Sequence, residues 1–311
     1  MANVRTNKSH TFRNHLWSNF RVDTIIDLTS VSQLYEAHKQ TLALSIYNTK
    51  PSHDNRISHW TFRRTVSVKE HICFELDYYD FHHVLQQEAK DNPYIWRANL
   101  LGGGRLANIS NRLRNMRTLK EYIEQKKKNG WDYGEGYIAA KKGRREPAPF
   151  LTGKPLLPTE AFTVAGVDAK RIETVKETEF RSAYKEDRYT APLLLIKAHA
   201  SLPIYFLEKG FLAYRDKIIG IHSPQTQISE LKSLYKQLSS NHEVYQFCYA
   251  LNGTQLLVGK ATAILKQDID TLPYPENANE LVFSFWEKIL CDDVLKNMVE
   301  YVRVMRFTWT V

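Results

Sequence analysis

The first fifty residues contain too few strands to close a hydrophobic core by themselves. Residues 11–20 can form one helix, and the apolar runs IIDL (25–28) and TLALSIY (41–47) have the length and composition of short strands. Because two strands and one helix leave apolar surface uncovered, this segment must pack on the later part of the chain, on a partner chain or on a region outside this sequence.

The second half of the chain is predicted to be rich in strands. Strand-length apolar runs recur there, namely LLLI (193–196), IYFL (204–207), FLAY (211–214), IIGI (218–221), YQFCYAL (245–251) and QLLV (255–258). We expect residues 208–210, Glu-Lys-Gly, to form a hairpin turn between the second and third of these runs. Leucines at helical spacing predict a helix over residues 228–238, and residues 279–302 are predicted to form a carboxy-terminal helix.

A helical region precedes these strands. Residues 105–129 are predicted to be helical in two pieces, the second of which begins at the capping box TLKE (118–121). Three lysines at 126–128 lie at the negative end of the helix dipole, before a left-handed cap at Gly130. Residues 131–159 are rich in Gly, Pro and charge and are predicted to form an ordered linker or an exposed loop.

Length and composition indicate a globular protein of a reducing compartment. The chain has 311 residues, of which 43% are hydrophobic, and this is enough to bury a core. Its three cysteines, Cys73, Cys248 and Cys291, are widely spaced and fit neither a disulfide framework nor a zinc motif. Because the sequence contains no membrane-spanning run and no signal peptide, we predict a soluble, cytoplasmic protein without a membrane partner.

The positive charge of the chain is concentrated in one segment. The formal net charge is +9, and residues 97–145 contain thirteen Lys and Arg against four acids, so the remainder is balanced. A concentrated basic excess is the electrostatic pattern of a surface that binds a polyanion, because neutralised phosphates release their counterions. The same charges could also line a solvated helical face, and the charge count alone leaves both interpretations open.

The stretch DNPYIWRANLLGGG (91–104) contains two partial motifs of a methyltransferase but completes neither. Asn92-Pro93-Tyr94 lacks the second proline of a catalytic Asn-Pro-Pro-Tyr loop. Gly102-Gly103-Gly104 lacks the spacing of a phosphate or adenosyl cradle, and we expect these glycines to allow a tight turn or close packing.

Several longer stretches resemble bacterial restriction-modification enzymes. AILKQDIDTLPYPE (263–276), after a helix such as LKSLYKQLSS (231–240), resembles the closing strand and loop of their target-recognition domains. LLLIKAHASLPIYFLEKGFLAYRDKIIGI (193–221) is similar to the core of such a domain. FRNHLWSNFRVDTIIDLTS (12–30) resembles the region after the catalytic loop of adenine-specific DNA methyltransferases, and NPYIWRANLLGGGR (92–105) resembles the junction between their domains. The whole resemblance is to the carboxy-terminal part of type IIG and type I-like enzymes.

This resemblance implies an α/β chain in four parts. They are the tail of a methyltransferase-like α/β domain (1–90), a helical basic connector (91–150), an α+β target-recognition domain (151–276) and a carboxy-terminal helical segment (277–311). The implied function is sequence-specific recognition of duplex DNA for an adenine methyltransferase, whose catalytic region or subunit is the implied partner and could be linked to a nuclease. The complete enzyme would use S-adenosylmethionine, but this chain has neither the cofactor nor the catalytic motif, so we predict that it binds no cofactor and contains no catalytic residue.

The predicted DNA contacts are cationic side chains. Phosphate contacts fix the register of a protein on DNA, whereas base contacts carry sequence information. We predict phosphate contacts in the connector and base contacts in the polar stretch 177–190. The predicted DNA-binding residues are Arg105, Arg112, Arg114, Arg117, Lys126, Lys127, Lys141, Lys142, Arg144 and Arg145 in the connector, and Arg181, Lys185 and Arg188 in the polar stretch.

Other features leave alternative functions open. Asp216, Glu230 and Lys232 imitate the metal site of a nuclease, although Glu230 and Lys232 also suit the start of an ordinary helix. The chain could therefore be an active enzyme, either a divergent methyltransferase or a magnesium-dependent nuclease, or it could be a non-specific nucleic-acid-binding module.

Two further clusters could bind ligands or serve packing. The aromatic residues Trp131, Tyr133 and Tyr137 lie beside cations and could stack on bases or pack a loop onto the domain. A cluster of potential zinc ligands has the wrong spacing, and no metal site is predicted; its members are His71, Cys73, His82 and His83.

Overall fold

The computed structural model describes residues 7–29, 41–64, 74–92, 94–139, 143, 145–253 and 264–307. The chain divides into two compact units. Unit 1 comprises Met1–Asn115, Phe247–Thr262 and Phe283–Val311, and unit 2 comprises Met116–Gln246 and Ala263–Val282. Each unit combines helices with small sheets, so the α/β class predicted from the sequence is confirmed.

The α-helices are distributed along the whole chain. In the described residues they are α1 (Asn7–Asn19), α2 (Gln86–Asp91), α3 (Ile95–Leu101), α4 (Gly104–Arg114), α5 (Leu119–Lys126), α6 (Ile228–Ser240), α7 (His242–Asn252), α8 (Lys266–Asp270) and α9 (Phe285–Phe307). Within this described part, no helix has the length and apolar character needed to span a membrane.

The strands are short. They are β1 (Arg21–Asp27), β2 (Leu42–Tyr47), β3 (Arg56–Thr61), β4 (Arg63–Arg64), β5 (Phe74–Glu75), β6 (Phe81–Leu85), β7 (Asp132–Glu135), β8 (Ile138–Ala139), β9 (Glu146–Pro147), β10 (Pro155–Leu157), β11 (Phe162–Thr163), β12 (Gly166–Val167), β13 (Glu173–Thr174), β14 (Glu179–Ser182), β15 (Leu193–Lys197), β16 (Ile204–Leu207), β17 (Ala213–Tyr214) and β18 (Ile218–His222).

A four-stranded mixed sheet in the order β2-β1-β3-β6 forms the centre of unit 1. The helix and the two strands predicted before residue 50 are α1, β1 and β2, and they are confirmed. β1 pairs antiparallel with β2 and parallel with β3, which pairs antiparallel with β6. The early strands therefore complete their sheet with later strands of the same chain, which is the first of the three arrangements that the sequence allowed.

One buried glutamine ties α1 to this sheet. The Gln86 amide nitrogen donates to the carbonyl oxygens of Trp17 at 2.9 Å and Phe20 at 2.7 Å. Its amide oxygen accepts from the Val22 backbone N–H at 3.0 Å and from the Asn55 side chain at 2.8 Å. Four partners satisfy the amide completely, so burying this polar group does not destabilise the unit.

A four-stranded antiparallel sheet in the order β16-β15-β18-β7 is the largest sheet of unit 2. The strands predicted at 193–196, 204–207 and 218–221 are β15, β16 and β18, and they are confirmed. α6 buries Leu231, Leu234 and Leu238 as its spacing predicts. The prediction of a hairpin turn at 208–210 is wrong, because the two strands on either side of it do not pair with each other. β16 pairs with β15, whereas β17 pairs with β10.

The prediction of a linker or exposed loop at 131–159 is wrong, because this segment forms β7, β8, β9 and β10. β7 is an edge strand of the largest sheet in unit 2. The aromatic residues Trp131, Tyr133 and Tyr137 are buried, so their packing interpretation is confirmed and a stacking platform for bases is excluded for them. Gly and Pro are frequent in this segment because its strands are short and turns separate them.

Two other strands expected from the sequence are helices. Residues 245–251 belong to α7, and the closing strand expected in 263–276 is replaced by α8 over the described part of that stretch. The run QLLV at 255–258 lies outside the described residues. The carboxy-terminal helix is confirmed as α9, although it begins after a 3-10 turn at Ala278–Leu281.

The two predicted helical pieces between 105 and 129 are confirmed as α4 and α5 with a 3-10 turn. The Thr118 hydroxyl accepts from the Glu121 backbone N–H at 3.2 Å, and the Glu121 carboxylate accepts from the Thr118 N–H at 2.7 Å. Gly130 ends this region at φ 87°, the left-handed cap that glycine favours. Gly103, at φ 95°, forms the predicted turn between α3 and α4.

The compact units do not follow the four segments implied by the resemblance. The predicted connector 91–150 is divided, because it contributes α3 and α4 to unit 1 and α5 to β9 to unit 2. The functional assignment of the four segments stays a prediction.

Candidate nucleic-acid interface

A three-stranded sheet in unit 2 holds both ends of the basic loop, which we define as residues 140–145. The strand order is β8-β14-β9, and both outer strands are antiparallel to β14. Ala139, before the loop, and Glu146, after it, both pair with Phe180 in the central strand. Lys141, Lys142 and Arg144 lie outside the described residues.

The central strand β14 separates a core face from a solvent face. Phe180 is fully buried and packs in the hydrophobic core of unit 2. Glu179 and Arg181 are exposed and flank Phe180 in sequence. The pairing of β14 with β8 shifts register between Phe180 and Ser182, and Glu179 and Arg181, on either side of the buried Phe180, are both exposed to solvent. The sheet that carries the predicted base reader Arg181 therefore also holds Ala139 and Glu146, the residues on either side of the basic loop.

An exposed ion pair joins the basic loop to β14. Arg145 Nη1 lies 2.9 Å from Glu179 Oε2, and the two side chains are 54% and 51% exposed. An ion pair with this exposure is weak and exchanges readily, because water screens both charges. Arg145 is therefore available for other anions.

A second arginine on this side of unit 2 is held more firmly. Arg215 Nη2 lies 2.7 Å from Glu177 Oε1, and Arg215 Nε donates to the Tyr137 hydroxyl at 3.3 Å. The hydrogen bond with Tyr137 raises the pKa of Arg215 further above its ordinary value. Burial is the main reason that the pKa of Tyr137 is raised, so this hydroxyl stays neutral and keeps its contact with the guanidinium.

Arg188 is committed to an interior ion pair. Its Nε and Nη2 atoms donate to the two carboxylate oxygens of Asp132 at 2.7 and 3.0 Å. Its guanidinium also donates to the carbonyl oxygens of Glu135 at 3.3 Å and Tyr133 at 3.4 Å and lies over the ring of Tyr184. Contact between Arg188 and a base would require breaking this pair, and the geometry therefore gives Arg188 a structural role.

Electrostatics support this role of Arg188. Burial alone would raise the pKa of Asp132, but hydrogen bonds and charge attraction from Arg188 outweigh it and lower the pKa. Burial alone would lower the pKa of Arg188, and the bond to Asp132 outweighs it in the same way. Both groups are therefore more strongly ionised in the folded protein.

Arg117 is likewise engaged within unit 2. Its guanidinium donates to the Tyr274 carbonyl oxygen at 3.3 Å and to the Glu276 carboxylate at 3.2 Å. The Tyr274 backbone N–H donates to the Arg117 carbonyl oxygen at 2.7 Å. These bonds join the start of the α5 region to the DTLPYPE part of the stretch that resembles a recognition domain.

The cations at the end of α5 have carboxylate partners. Lys126 Nζ lies 2.5 Å from Glu230, and this hydrogen bond raises the pKa of Lys126. Lys127 Nζ lies 2.7 Å from Glu124. Lys232 lies 2.7 Å from Glu208. Both Glu230 and Lys232, the pair that imitates a nuclease site, are thus accounted for by ordinary ion pairs.

Metal-binding clusters are absent from the part of the chain that the structure describes. No group of three or more His, Cys, Asp or Glu side chains there could hold a metal ion. His82 and His83 lie on β6, and the other two potential zinc ligands lie outside the described residues.

Three predicted DNA-binding residues belong to unit 1. Arg105 is exposed at the start of α4. Arg112 forms an ion pair with Glu287 at 2.8 Å. Arg114 lies 3.8 Å from the ring centroid of Tyr94 and donates to Asn92 at 3.3 Å. Asn92 and Tyr94, from the incomplete methyltransferase motif, thus contact a helix of the same unit.

The thirteen predicted residues therefore differ in availability. Seven have a carboxylate or aromatic partner, and three lie outside the described residues. The remaining three are exposed and make no ion pair within the described residues, namely Arg105, Arg181 and Lys185. DNA contact by any of the thirteen stays a prediction.

Two site residues were missed from the sequence. Glu179 and Arg215 border the basic loop and its sheet, yet neither was singled out. The alternation of polar and apolar residues in EFRS (179–182) indicates a strand in which Glu179 and Arg181 are exposed. Nothing comparable identifies Arg215, whose position depends on the pairing of distant segments.

Comparisons with known proteins find similarity among solved structures. No protein-family model matches this chain, and no curated protein matches it. A structure described as the type IIG restriction endonuclease BpuSI is similar at 12% sequence identity, with a TM-score of 0.36. The match covers 94% of this chain and 41% of the BpuSI chain, so this chain spans less than half the length of that enzyme. Similarity at this level establishes neither a shared family nor a shared function.

Proposed function

We propose that this chain recognises a specific sequence in duplex DNA and positions an adenine methyltransferase on it. One observation carries the proposal: the strands at both ends of the four-cation basic loop pair with β14, which presents Arg181 to solvent. Ala139 and Glu146, at the two ends of the loop, thereby lie on the same small sheet as Arg181, which follows about forty positions later in the sequence.

The two parts of this surface suit different tasks. Lys and Arg side chains suit phosphate contacts, which fix register without reading sequence. An arginine on an ordered strand can instead form two hydrogen bonds with the O6 and N7 atoms of guanine in the major groove. Arg181 lacks an ion-pair partner within the described residues, so its guanidinium is available for such a contact.

The proposed partner is the catalytic region or subunit of an adenine methyltransferase. This part of the proposal rests on the sequence resemblance, which covers the recognition part of those enzymes. S-adenosylmethionine and the target adenine would bind to the catalytic partner, and this chain would supply the DNA contacts that place it.

The salt dependence of DNA binding tests the phosphate contacts. Six phosphate contacts would give a log-log slope of about −5 for affinity against salt. We expect charge reversal of Lys141, Lys142, Arg144 and Arg145 to flatten this slope by about 3.6, which is about 0.9 for each of four contacts. The matched control reverses four exposed cations elsewhere on unit 2, namely Lys170, Lys209, Lys217 and Lys236. An equal effect of both sets would remove the basic loop from the interface.

Selection of bound sites from a random DNA pool tests whether the chain recognises a specific DNA sequence. The wild type is expected to yield one motif, and Arg181→Ala is expected to relax it at one position, at a cost of about 1 to 3 kcal/mol. Lys170→Ala, at another exposed site of unit 2, should leave the motif unchanged. Equal binding of unrelated sequences by the wild type would identify a non-specific module instead.

A further inference from the structure

We propose that Tyr184 is a further specificity-determining residue, whose exposed ring contacts the C5-methyl group of a thymine in the major groove of the recognised DNA. The inference rests on the proposed function, because it adds one base contact to the same recognition. It concerns an uncharged side chain, whereas the DNA-binding residues predicted from the sequence are all cations.

Tyr184 presents its ring to solvent in a unit that otherwise covers its aromatic side chains. It is 43% exposed, and it is the one exposed Phe, Trp or Tyr of unit 2 within the described ranges. Its neighbours Tyr189 and Tyr214 are fully buried. Because a tyrosine ring offers a large contact area with few rotatable bonds, an exposed one suits a binding surface.

The backbone of Tyr184 has a conformation that residues other than glycine rarely adopt. Its φ is 61°, in the left-handed region that is unfavourable for any residue with a Cβ atom. Hydrogen bonds fix the chain on both sides of it: the Tyr189 hydroxyl donates to the Ala183 carbonyl oxygen at 2.8 Å, and the Arg188 N–H donates to the Lys185 carbonyl oxygen at 3.2 Å. Since glycine would adopt this turn without strain, the tyrosine points to a use for its ring.

The ring of Tyr184 is also held in place. The guanidinium carbon of Arg188 lies 4.2 Å from the ring centroid, and Arg188 is itself fixed by its two hydrogen bonds to Asp132. One face of the ring is therefore covered by this cation, and the exposed area lies on the opposite face and the edges. A ring that is ordered before binding loses little conformational entropy when it contacts DNA.

The surroundings of Tyr184 favour contact with a base edge over contact with phosphates. Arg181 and Lys185 are exposed cations, but the exposed Glu186 and Asp187 balance their charge. Tyr184 follows Arg181 by three residues, so their Cα atoms are at most about 11 Å apart, the length of about three base pairs. In the major groove the thymine methyl group is the apolar feature that distinguishes one base pair from another, and an aromatic ring can therefore recognise it.

Replacement of thymine by deoxyuridine tests the inference in an equilibrium binding assay. The probe is a duplex with the motif selected by the wild type, in which each thymine is replaced in turn. We expect one replacement, within about three base pairs of the position read by Arg181, to weaken wild-type binding about fourfold, the effect of one methyl group. Tyr184→Ala should bind the thymine and deoxyuridine duplexes equally. Tyr184→Phe should keep the wild-type difference, because the ring and not the hydroxyl makes the contact.

Two further variants separate a contact with DNA from a change of fold. Tyr184→Gly should lose the thymine preference but unfold at about the same urea concentration as the wild type, because relief of backbone strain offsets the lost ring contact. Val164→Ala shortens an apolar side chain that is 59% exposed elsewhere on unit 2, and it should keep the preference. A wild type that is insensitive to every replacement, or a Tyr184→Ala variant that is equally sensitive, would overturn the inference while the proposed function stands. Absence of any sequence preference in the wild type would overturn both.

Discussion

Arg145 and Arg188 differ in the surroundings of the carboxylate that each one contacts. The Arg145–Glu179 pair is half exposed, whereas the Arg188 side chain is only 11% exposed at Asp132. Water screens the first pair strongly and the second weakly, so the two arginines have different roles although both were predicted to bind DNA. We expect the interior pair to stabilise the fold and the surface pair to contribute little to stability.

Removal of Arg188 should destabilise unit 2. Because Asp132 would lose its bidentate partner inside the protein, we expect Arg188→Ala to lower the free energy of unfolding by about 3 kcal/mol. Arg188→Lys should recover only part of this loss, since an ammonium cannot form the two parallel bonds. Urea unfolding measures both variants, with the exposed Arg181→Ala as a control expected to change stability by about 0.5 kcal/mol or less. Equal stability of Arg188→Ala and the wild type would contradict the structural role.

The same ion pair has a defined pH dependence. The folded pKa of Asp132 is lowered, so its contribution to stability is complete above the unfolded value of about 3.9. That contribution is lost as the pH falls through the folded pKa. The stability of the wild type should therefore fall more steeply with decreasing acidic pH than that of Asp132→Asn, which cannot titrate at this position. Parallel curves for the two proteins would show that the pair does not couple to folding.

Among the elements, α7 shows why a sequence pattern can predict the wrong structure. Tyr245, Phe247 and Cys248 favour strands by composition, and they were predicted to lie in one. In the structure seven of the eleven residues of α7 are buried, including Tyr249 and Leu251. A helix buried on all sides lacks the one-sided apolar pattern that identifies a surface helix, whereas α6, with one buried face, was predicted correctly.

Thiol labelling tests the position of α7. Cys248 on α7 and Cys291 on α9 are both buried, and burial raises the pKa of the Cys248 thiol well above its ordinary value. In a Cys73→Ser background, we expect both thiols to react about a thousandfold more slowly in the folded protein than in urea. Ser240→Cys, at the exposed end of α6, provides a rapidly labelled control. Fast labelling of Cys248 would contradict the buried helix.

The small sheet at the basic loop could be predicted only in part. The alternating pattern of β14 is visible in the sequence, as is the clustering of cations before it. The pairing of β8 and β9 with β14 is not visible, because two-residue strands carry no periodic pattern and their partners are decided by the packing of the whole unit. The sequence therefore indicated the strand and the cluster of cations, but not the sheet that joins the residues on either side of the basic loop.

At the scale of the whole molecule, ion pairs neutralise part of the positive charge that the sequence concentrates between residues 97 and 145. Partners of these cations come from distant positions, such as Glu179, Glu230, Glu276 and Glu287. A count over a continuous segment does not include such partners. The count therefore includes cations that already have a carboxylate partner, and DNA contact by any of these cations stays a prediction.

We expect the isolated protein to transfer no methyl group to duplex DNA, since neither the cofactor loop nor the Asn-Pro-Pro-Tyr loop occurs in its sequence. Incorporation of labelled methyl from S-adenosylmethionine measures this directly, with an active adenine methyltransferase as the positive control. Calorimetry should also detect no binding of S-adenosylmethionine. Methyl incorporation by the pure chain would instead support the alternative of a divergent enzyme.

The construction of unit 1 from three separate segments determines when it can fold on the ribosome. Residues up to Asn115 are synthesised well before Phe283–Val311, which complete the unit. At ordinary rates of translation, this interval lasts on the order of ten seconds. During that time α4 lacks the α9 residue Glu287, which forms an ion pair with Arg112, so chaperones can bind the incomplete unit. The risk of aggregation is therefore greatest while the chain is being made.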